Sequence, residues 1–239
     1  MLIIQCLKYV QILFNNQYCV YYVFMKKYFL TIFISFFLFP NKTFAEKVII
    51  FNFTENEYKN LKVGKKYKGE TSWTLGSNEN GNFIKAESQG KGSGLGKEVL
   101  IDLIKTPFIN ITWKIEKDLS GIVENSKKGH DYAARVFVIK KTGSTALSNR
   151  AINYVFSSNN EVGKNWPSPY TKKSIDYVLS STKNNLNTWV TVKANVKEDF
   201  MKLHGIEVLD LSGVAIMTDT DNSKLKAISY YQNIYFSEE

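Results

Sequence analysis

Apolar and polar residues alternate along much of this chain with a period of two, a spacing that predicts strands rather than helices. Residues 47–53 open with Val48, Ile49, Ile50, Phe51 and Phe53. Ile109, Ile111, Trp113 and Ile115 then alternate with Asn110, Thr112, Lys114 and Glu116, the pattern of a half-buried strand. Segments of the same style run over 132–140, 151–157, 174–181 and 188–196, and 213–218 and 227–236 close the chain. Turn-forming clusters separate them at 76–81, 90–96, 141–144, 159–169 and 182–187. One short helix is predicted over 196–204. Asn195 can cap it, Glu198 and Asp199 favour its first turn, Val196, Phe200 and Leu203 share a face, and Gly205 can end it. About ten strands with so little helix and no βαβ alternation predict an all-β fold, an antiparallel β-sandwich of jelly-roll type with one short helix. Residues 46–239 read as a single domain.

The N-terminus follows a different pattern. Met25-Lys26-Lys27 precedes an apolar run from Tyr28 to Phe39 and then Thr43-Phe44-Ala45. This is the layout of a secretory signal peptide over residues 25–45, cleaved after Ala45. Residues 1–24 then read as an upstream extension or a mis-called start. The competing reading, a membrane span within 1–24, is weakened by Lys8, Gln11, Asn15, Asn16 and Gln17, since a span needs about 20 mostly apolar residues. The expected product is periplasmic or secreted, with no stable membrane span after processing. Removing 45 of the 239 residues leaves 194, enough for a real core. Cys6 and Cys19, the only cysteines, leave with the cut, so disulfides and thiolate chemistry are not expected in the mature chain. Four lysines and no acid leave as well, which reduces the formal charge from +9 to +5. The remaining lysines are scattered without aromatic interleaving, so no nucleic-acid partner is expected.

Few segments carry recognisable chemistry. The glycine stretch from Gly90 to Lys97 lacks the spacing of a phosphate loop and reads as a flexible hairpin connection. Arg135 sits within Ala133-Ala134-Arg135-Val136-Phe137-Val138, so its charge must be paired, with Asp131, Asp219 or Asp221 as candidates; a functional alternative has it facing an anionic ligand. Asp219-Thr220-Asp221-Asn222 offers oxygen ligands that would suit calcium. The EF-hand pattern fails, however, at Lys224 and Tyr230, and an Asx-rich turn bonding its own backbone is the commoner use of such a sequence. No cofactor is therefore expected, with Asp219, Asp221 and Asn222 the weak candidates for a metal. Asn153, Tyr154, Trp166 and Tyr170 make an aromatic and amide-rich region whose rings could stack on sugar faces and whose amides could bond hydroxyls. Alternatively, Trp166 and Tyr170 plug one end of the sandwich. His130 and His204 are the only histidines, and neither belongs to a nucleophile or metal motif. Asp131 with Asp219 could do glycosidase work if their separation allowed it.

Several of these segments also resemble an uncharacterised family of exported bacterial proteins, domain of unknown function 3047. The likeness rests on residues 130–136 (His-Asp-Tyr-Ala-Ala-Arg-Val), 150–158, 166–171 (Trp-Pro-Ser-Pro-Tyr-Thr), 214–223 and 230–236. The chain departs from the family pattern at His130, where a second aspartate is favoured, and at Phe156, Ser168 and Asn233, which stand for tryptophan, asparagine and aspartate. Those departures put a two-aspartate catalytic or metal site in doubt. The resemblance implies an exported single domain with a galactose-binding-like jelly roll, and no known activity.

Three functions follow as expectations. The first is a non-catalytic exported protein binding a carbohydrate or similar polar ligand, with Asp131, Arg135, Arg150, Asn153, Tyr154, Trp166, Tyr170, Asp219, Asp221 and Asn222 around one mouth. The second is a polysaccharide hydrolase or lyase using Asp131 with Asp219 or Asp221, and Arg135 as charge stabiliser. The third is an envelope structural or assembly factor that binds a protein partner along its strand edges.

Overall fold

Strand periodicity becomes two facing sheets in the computed structural model, which describes residues 46–145 and 148–239. The signal peptide at 25–45 and the extension at 1–24 lie outside the described residues. One sheet holds β1 (Lys47–Phe51), β3 (Ser72–Asn78), β4 (Gly81–Gln89), β6 (Phe108–Lys117), β11 (Val190–Asn195) and β13 (Lys226–Ser237), in the order β11-β6-β13-β4-β3 with β1 also on β13. The other runs β2-β5-β12-β7-β8-β10-β9. Its strands are β2 (Lys62–Val63), β5 (Gly92–Asp102), β7 (Ala134–Lys140), β8 (Arg150–Ser157), β9 (Asn165–Ser168), β10 (Thr171–Ser181) and β12 (Asp210–Asp219). This is a jelly-roll sandwich, all-β as the alternation predicts.

Between the sheets lies one core. Ile109, Ile111, Trp113 and Ile115 of β6 are fully buried, and each such aliphatic side chain contributes roughly 1.5–3 kcal/mol by leaving water. They meet Val136, Val138, Ile152, Phe156, Val214 and Ile216 in the same core. Trp113 satisfies its indole by donating Nε1–H to Ser180 Oγ at 3.0 Å, so the ring is buried without stranding a polar group. The described residues contain no cysteine, so burial, hydrogen bonds and ion pairs hold them together without a disulfide.

Two details differ from the sequence expectation. β10 runs parallel to β8, whereas every other pairing is antiparallel. A parallel pair needs a long crossover. Residues 158–170 supply it, passing beyond the position of β10 to form β9 before the chain turns back. Among the described residues there are also three short helices rather than one: α1 (Glu55–Asn60), α2 (Thr182–Asn185) and α3 (Val196–His204). The α1 turn forms because Thr54 Oγ1 accepts from Glu57 N–H, while the Glu57 carboxylate accepts from Asn52 and Phe53 N–H, a reciprocal cap. α3 has the predicted ends, with Asn195 accepting from Glu198 N–H and Gly205 in the left-handed region at φ 66°.

Candidate functional site

The seven-stranded sheet turns Val136, Tyr154, Val214 and Ile216 inward, and its outer face therefore carries the residues between them. Register places Gly96, Ala215, Phe137, Asn153 and Asp176 in one row across five strands. Gly94, Met217, Arg135 and Val155 form the next, and Gly92 lies opposite Asp219 beyond it. The glycine stretch is thus not a flexible hairpin connection. Gly92, Gly94 and Gly96 belong to β5, and their period of two leaves that strand's outer face without side chains. A Cβ at Gly92 would stand 2.4 Å from Asp219 Cβ, so only glycine permits that aspartate its position.

Arg135 is 4% exposed and pairs with Asp219, donating from Nη2 to Oδ2 at 2.5 Å. Its guanidinium also stacks on the rings of Tyr132 and Phe137, at 5.2 and 5.1 Å from their centroids. Burial opposes the guanidinium charge, but Asp219 and then Asp176 outweigh it, so its pKa moves up. Asp219 behaves differently. Its burial dominates, Arg135 opposes, and the neighbouring Asp131 and Asp221 add to the burial, so its pKa is pushed up to about 7.

Asp131, Asp219 and Asp221 bring carboxylate oxygens within 4.8 Å of one another. Most of those oxygens are committed. Asp131 accepts from Asn222 N–H, Asn222 Nδ2 and Ser223 N–H, so it closes the 220–224 turn from a separate segment. The turn therefore leans on Asp131, where the sequence reading expected it to bond its own backbone. Asp219 accepts from Tyr132 N–H through Oδ1 and from Arg135 through Oδ2. Asn222 Oδ1 accepts from Tyr170 Oη–H at 2.9 Å. Only Asp221 offers a carboxylate with no hydrogen-bond donor among the described residues.

A second buried carboxylate lies three strands along the same sheet. Asp176, fully buried on β10, accepts from Tyr132 Oη–H at 3.1 Å and Asn153 Nδ2 at 2.6 Å, and shares a hydrogen bond with His130 Nε2 at 2.8 Å. The His130 ring stands edge-on to both Tyr132 and Tyr170. Burial, then Asp176, raises the Tyr132 pKa well above the usual phenol value, so the hydroxyl stays a donor.

These groups border a cavity of about 430 Å³ whose wall includes His130, Arg135, Phe137, Asn153, Ser168, Tyr170, Ser174, Met217, Asp219, Asp221 and Asn222. A second hollow of about 390 Å³ lies over Gly94, Gly96, Ile139, Gly213 and Ala215. The two share Lys65, Tyr67, Phe137 and Met217, which makes them one groove with a polar end and an apolar end. Two buried polar atoms on side chains of the polar end have no hydrogen-bond partner, Arg135 Nε and Asn153 Oδ1.

Of the residues expected around one mouth, Arg135, Asn153, Tyr170, Asp219, Asp221 and Asn222 border this cavity, and Asp131 lies directly behind it. Three do not reach it. Tyr154 faces the core and donates its hydroxyl to Asp199 of α3 at 2.8 Å, because it sits one residue out of phase with Asn153. Arg150 shares that inward phase at the start of β8, where its charge acts on His204. Trp166, opposite Asp176 on β9, packs against Tyr132, Val155 and Val178 as a small cluster beside the cavity. Asp176, His130 and Phe137 were missed as site residues. A charge inside the apolar run Ile175-Asp176-Tyr177-Val178 was the available signal for the first, the same signal that marks Arg135.

Fold and site together define a jelly-roll sandwich with a groove across one outer sheet face. The chain belongs to the family described as a protein of unknown function (DUF3047), whose model matches residues 56–235. No curated protein matches the sequence. Among solved structures it is similar to a family 30 carbohydrate-binding module, with 10% identity, 81% of this chain and 88% of that chain covered, and a TM-score of 0.47. A family 29 carbohydrate-binding module mutant complexed with mannohexaose aligns at 10% identity, 81% and 92% coverage and a TM-score of 0.39. A cellulase derived from Cel12A of Rhodothermus marinus aligns at 10% identity, 70% and 86% coverage and a TM-score of 0.42.

Proposed function

We propose that this protein is exported and binds a carbohydrate in the groove on its seven-stranded sheet without chemically altering it. The carrying observation is the groove itself: a floor cleared by Gly94 and Gly96 leads to a polar end where Arg135 Nε and Asn153 Oδ1 are buried and unpartnered. An unmet buried polar atom costs about 1–3 kcal/mol, a cost that a ligand hydroxyl would relieve. One donor and one acceptor suit the hydroxyls of a sugar, while Phe137 and Tyr67 offer apolar faces for its C–H surface.

Hydrolysis fits the carboxylates poorly. Glycosidases need two carboxyl groups flanking the bond, about 5–5.5 Å or 6.5–9.5 Å apart. Here Asp131 and Asp219 are occupied by the turn, Tyr132 and Arg135, which leaves Asp221 alone to face a ligand. The export part of the proposal rests on the pattern of residues 25–45.

Calorimetric titration against a panel of oligosaccharides tests the proposal, with reducing-end release measured in parallel. Binding of at least one oligosaccharide is expected, weakened at least tenfold by Phe137→Ala or Asn153→Ala, with no new reducing ends. Binding to none of them, or affinity indifferent to both variants, would overturn the assignment.

A further inference from the structure

The apolar end of the groove is bordered by Lys62, Lys65, Lys97 and Lys141, with Glu98 as the single acid on its wall. Glu98 is shared, at 3.0 Å from Lys62 and 3.6 Å from Lys141, and Lys97 is held by Glu57 of the α1 turn. Lys65 lies over the Tyr67 ring, borders both hollows, and has no acidic partner among the described residues. This end of the groove therefore carries more positive charge than its acids balance.

Beside the polar end, lysines occur together with the acids of the 219–221 cluster. Lys68 and Lys224 both donate to one backbone oxygen, that of Asp221, at 2.8 and 2.5 Å. Two ammonium groups converging on a single carbonyl repel one another. The Lys224 pKa falls accordingly, with its hydrogen-bonded neighbour Lys68 as the largest cause. The carboxylates of Asp221 and Asp131 act against that fall, so this lysine pair already has acids beside it and leaves no place for a further anion.

We infer that the ligand, on the carbohydrate reading given above, is an acidic sugar chain whose carboxylates lie along Lys65 and the lysine-bordered apolar end, away from the Asp131, Asp219 and Asp221 cluster. The chain spans the groove with its ring faces over Phe137 and Tyr67. Its acidic groups point to the rim rather than to the buried donor and acceptor, which remain for hydroxyls. Charges this exposed act over roughly 8–10 Å at physiological salt, so the preference must weaken as salt rises.

The test titrates the protein with uronic-acid oligomers, neutral oligomers of equal length, and polyglutamate, at 50 and 300 mM NaCl. Uronate should bind at least about tenfold tighter than any neutral chain at low salt, with that margin shrinking severalfold at high salt. Lys65→Gln should lower uronate affinity about three- to tenfold with the fold intact by circular dichroism. Neutral chains binding as tightly as uronate would overturn this inference and leave the carbohydrate reading standing. Polyglutamate binding as tightly as uronate would also overturn it, because charge without a sugar would then suffice. Failure of every oligosaccharide to bind would remove both readings.

Discussion

Replacing Arg135 by methionine isolates the buried charge arrangement behind the groove. The substitution keeps an apolar stem of similar length but leaves Asp219, 2% exposed, with Asp131 and Asp221 as its electrostatic neighbours. Breaking a buried pair costs about 3–5 kcal/mol if the remaining charge stays ionised. Asp219 has an escape, because its pKa is about 7 even with the guanidinium present and rises further without it. Below about pH 6 the native states of both proteins hold a proton that the unfolded chain releases near pH 4. Both therefore lose stability in parallel as pH rises from 4, and the difference between them is flat. Above pH 7 wild-type Asp219 is ionised in the folded and unfolded states alike, and its contribution stops changing. The variant still holds its native-state proton there and continues to lose about 1.4 kcal/mol per pH unit. Between pH 7 and 8.5 the gap should widen by about 2 kcal/mol, or roughly 1 M in urea midpoint for a slope of about 2 kcal/mol/M. Urea unfolding followed by tryptophan fluorescence from pH 5 to 8.5 measures it. A destabilisation that is constant across this range, or that shrinks above pH 7, would refute the charge account of the site.

Gly92→Ala is expected to strike the same aspartate from the other side. Its Cβ would lie 2.4 Å from Asp219 Cβ, so overpacking should cost about 1–3 kcal/mol in urea and weaken sugar binding together with stability. A variant as stable as the parent would show that β5 and β12 are not packed as described. The export reading predicts that protein recovered from outside the cytoplasm begins at Glu46, which intact-mass measurement would show; a full-length product in that fraction would contradict it.

How far the sequence foretold this site depends on which face of a strand each residue takes. The alternation of Ile109, Ile111, Trp113 and Ile115 is regular enough to give β6 and its buried face directly. Arg135 stands out because a charge within an apolar strand must be paired, and Asp219 was among its three expected partners. Phase errors account for most of the rest. Asn153 and Tyr154 are neighbours in sequence and were grouped together, yet a strand sends them to opposite faces, one to the groove and one to Asp199. Gly92, Gly94 and Gly96 also have a period of two, but an absence of side chains reads as a loop unless the partner strand is known. The parallel pairing of β8 and β10 was out of reach for a similar reason: the interior position of β10 is fixed by contacts on both sides, and local pattern does not encode sheet order.

The lateral borders of the seven-stranded sheet have a consequence of their own. One border is β2, only two residues long, and the other is β9, four residues that include Pro167. Proline has no N–H to offer a foreign chain, and a two-residue border is too short to template one. Recruitment of another polypeptide by backbone zippering is therefore discouraged along these two strands. A chain without cysteine in its described residues is thereby kept from joining its own copies side by side along these borders.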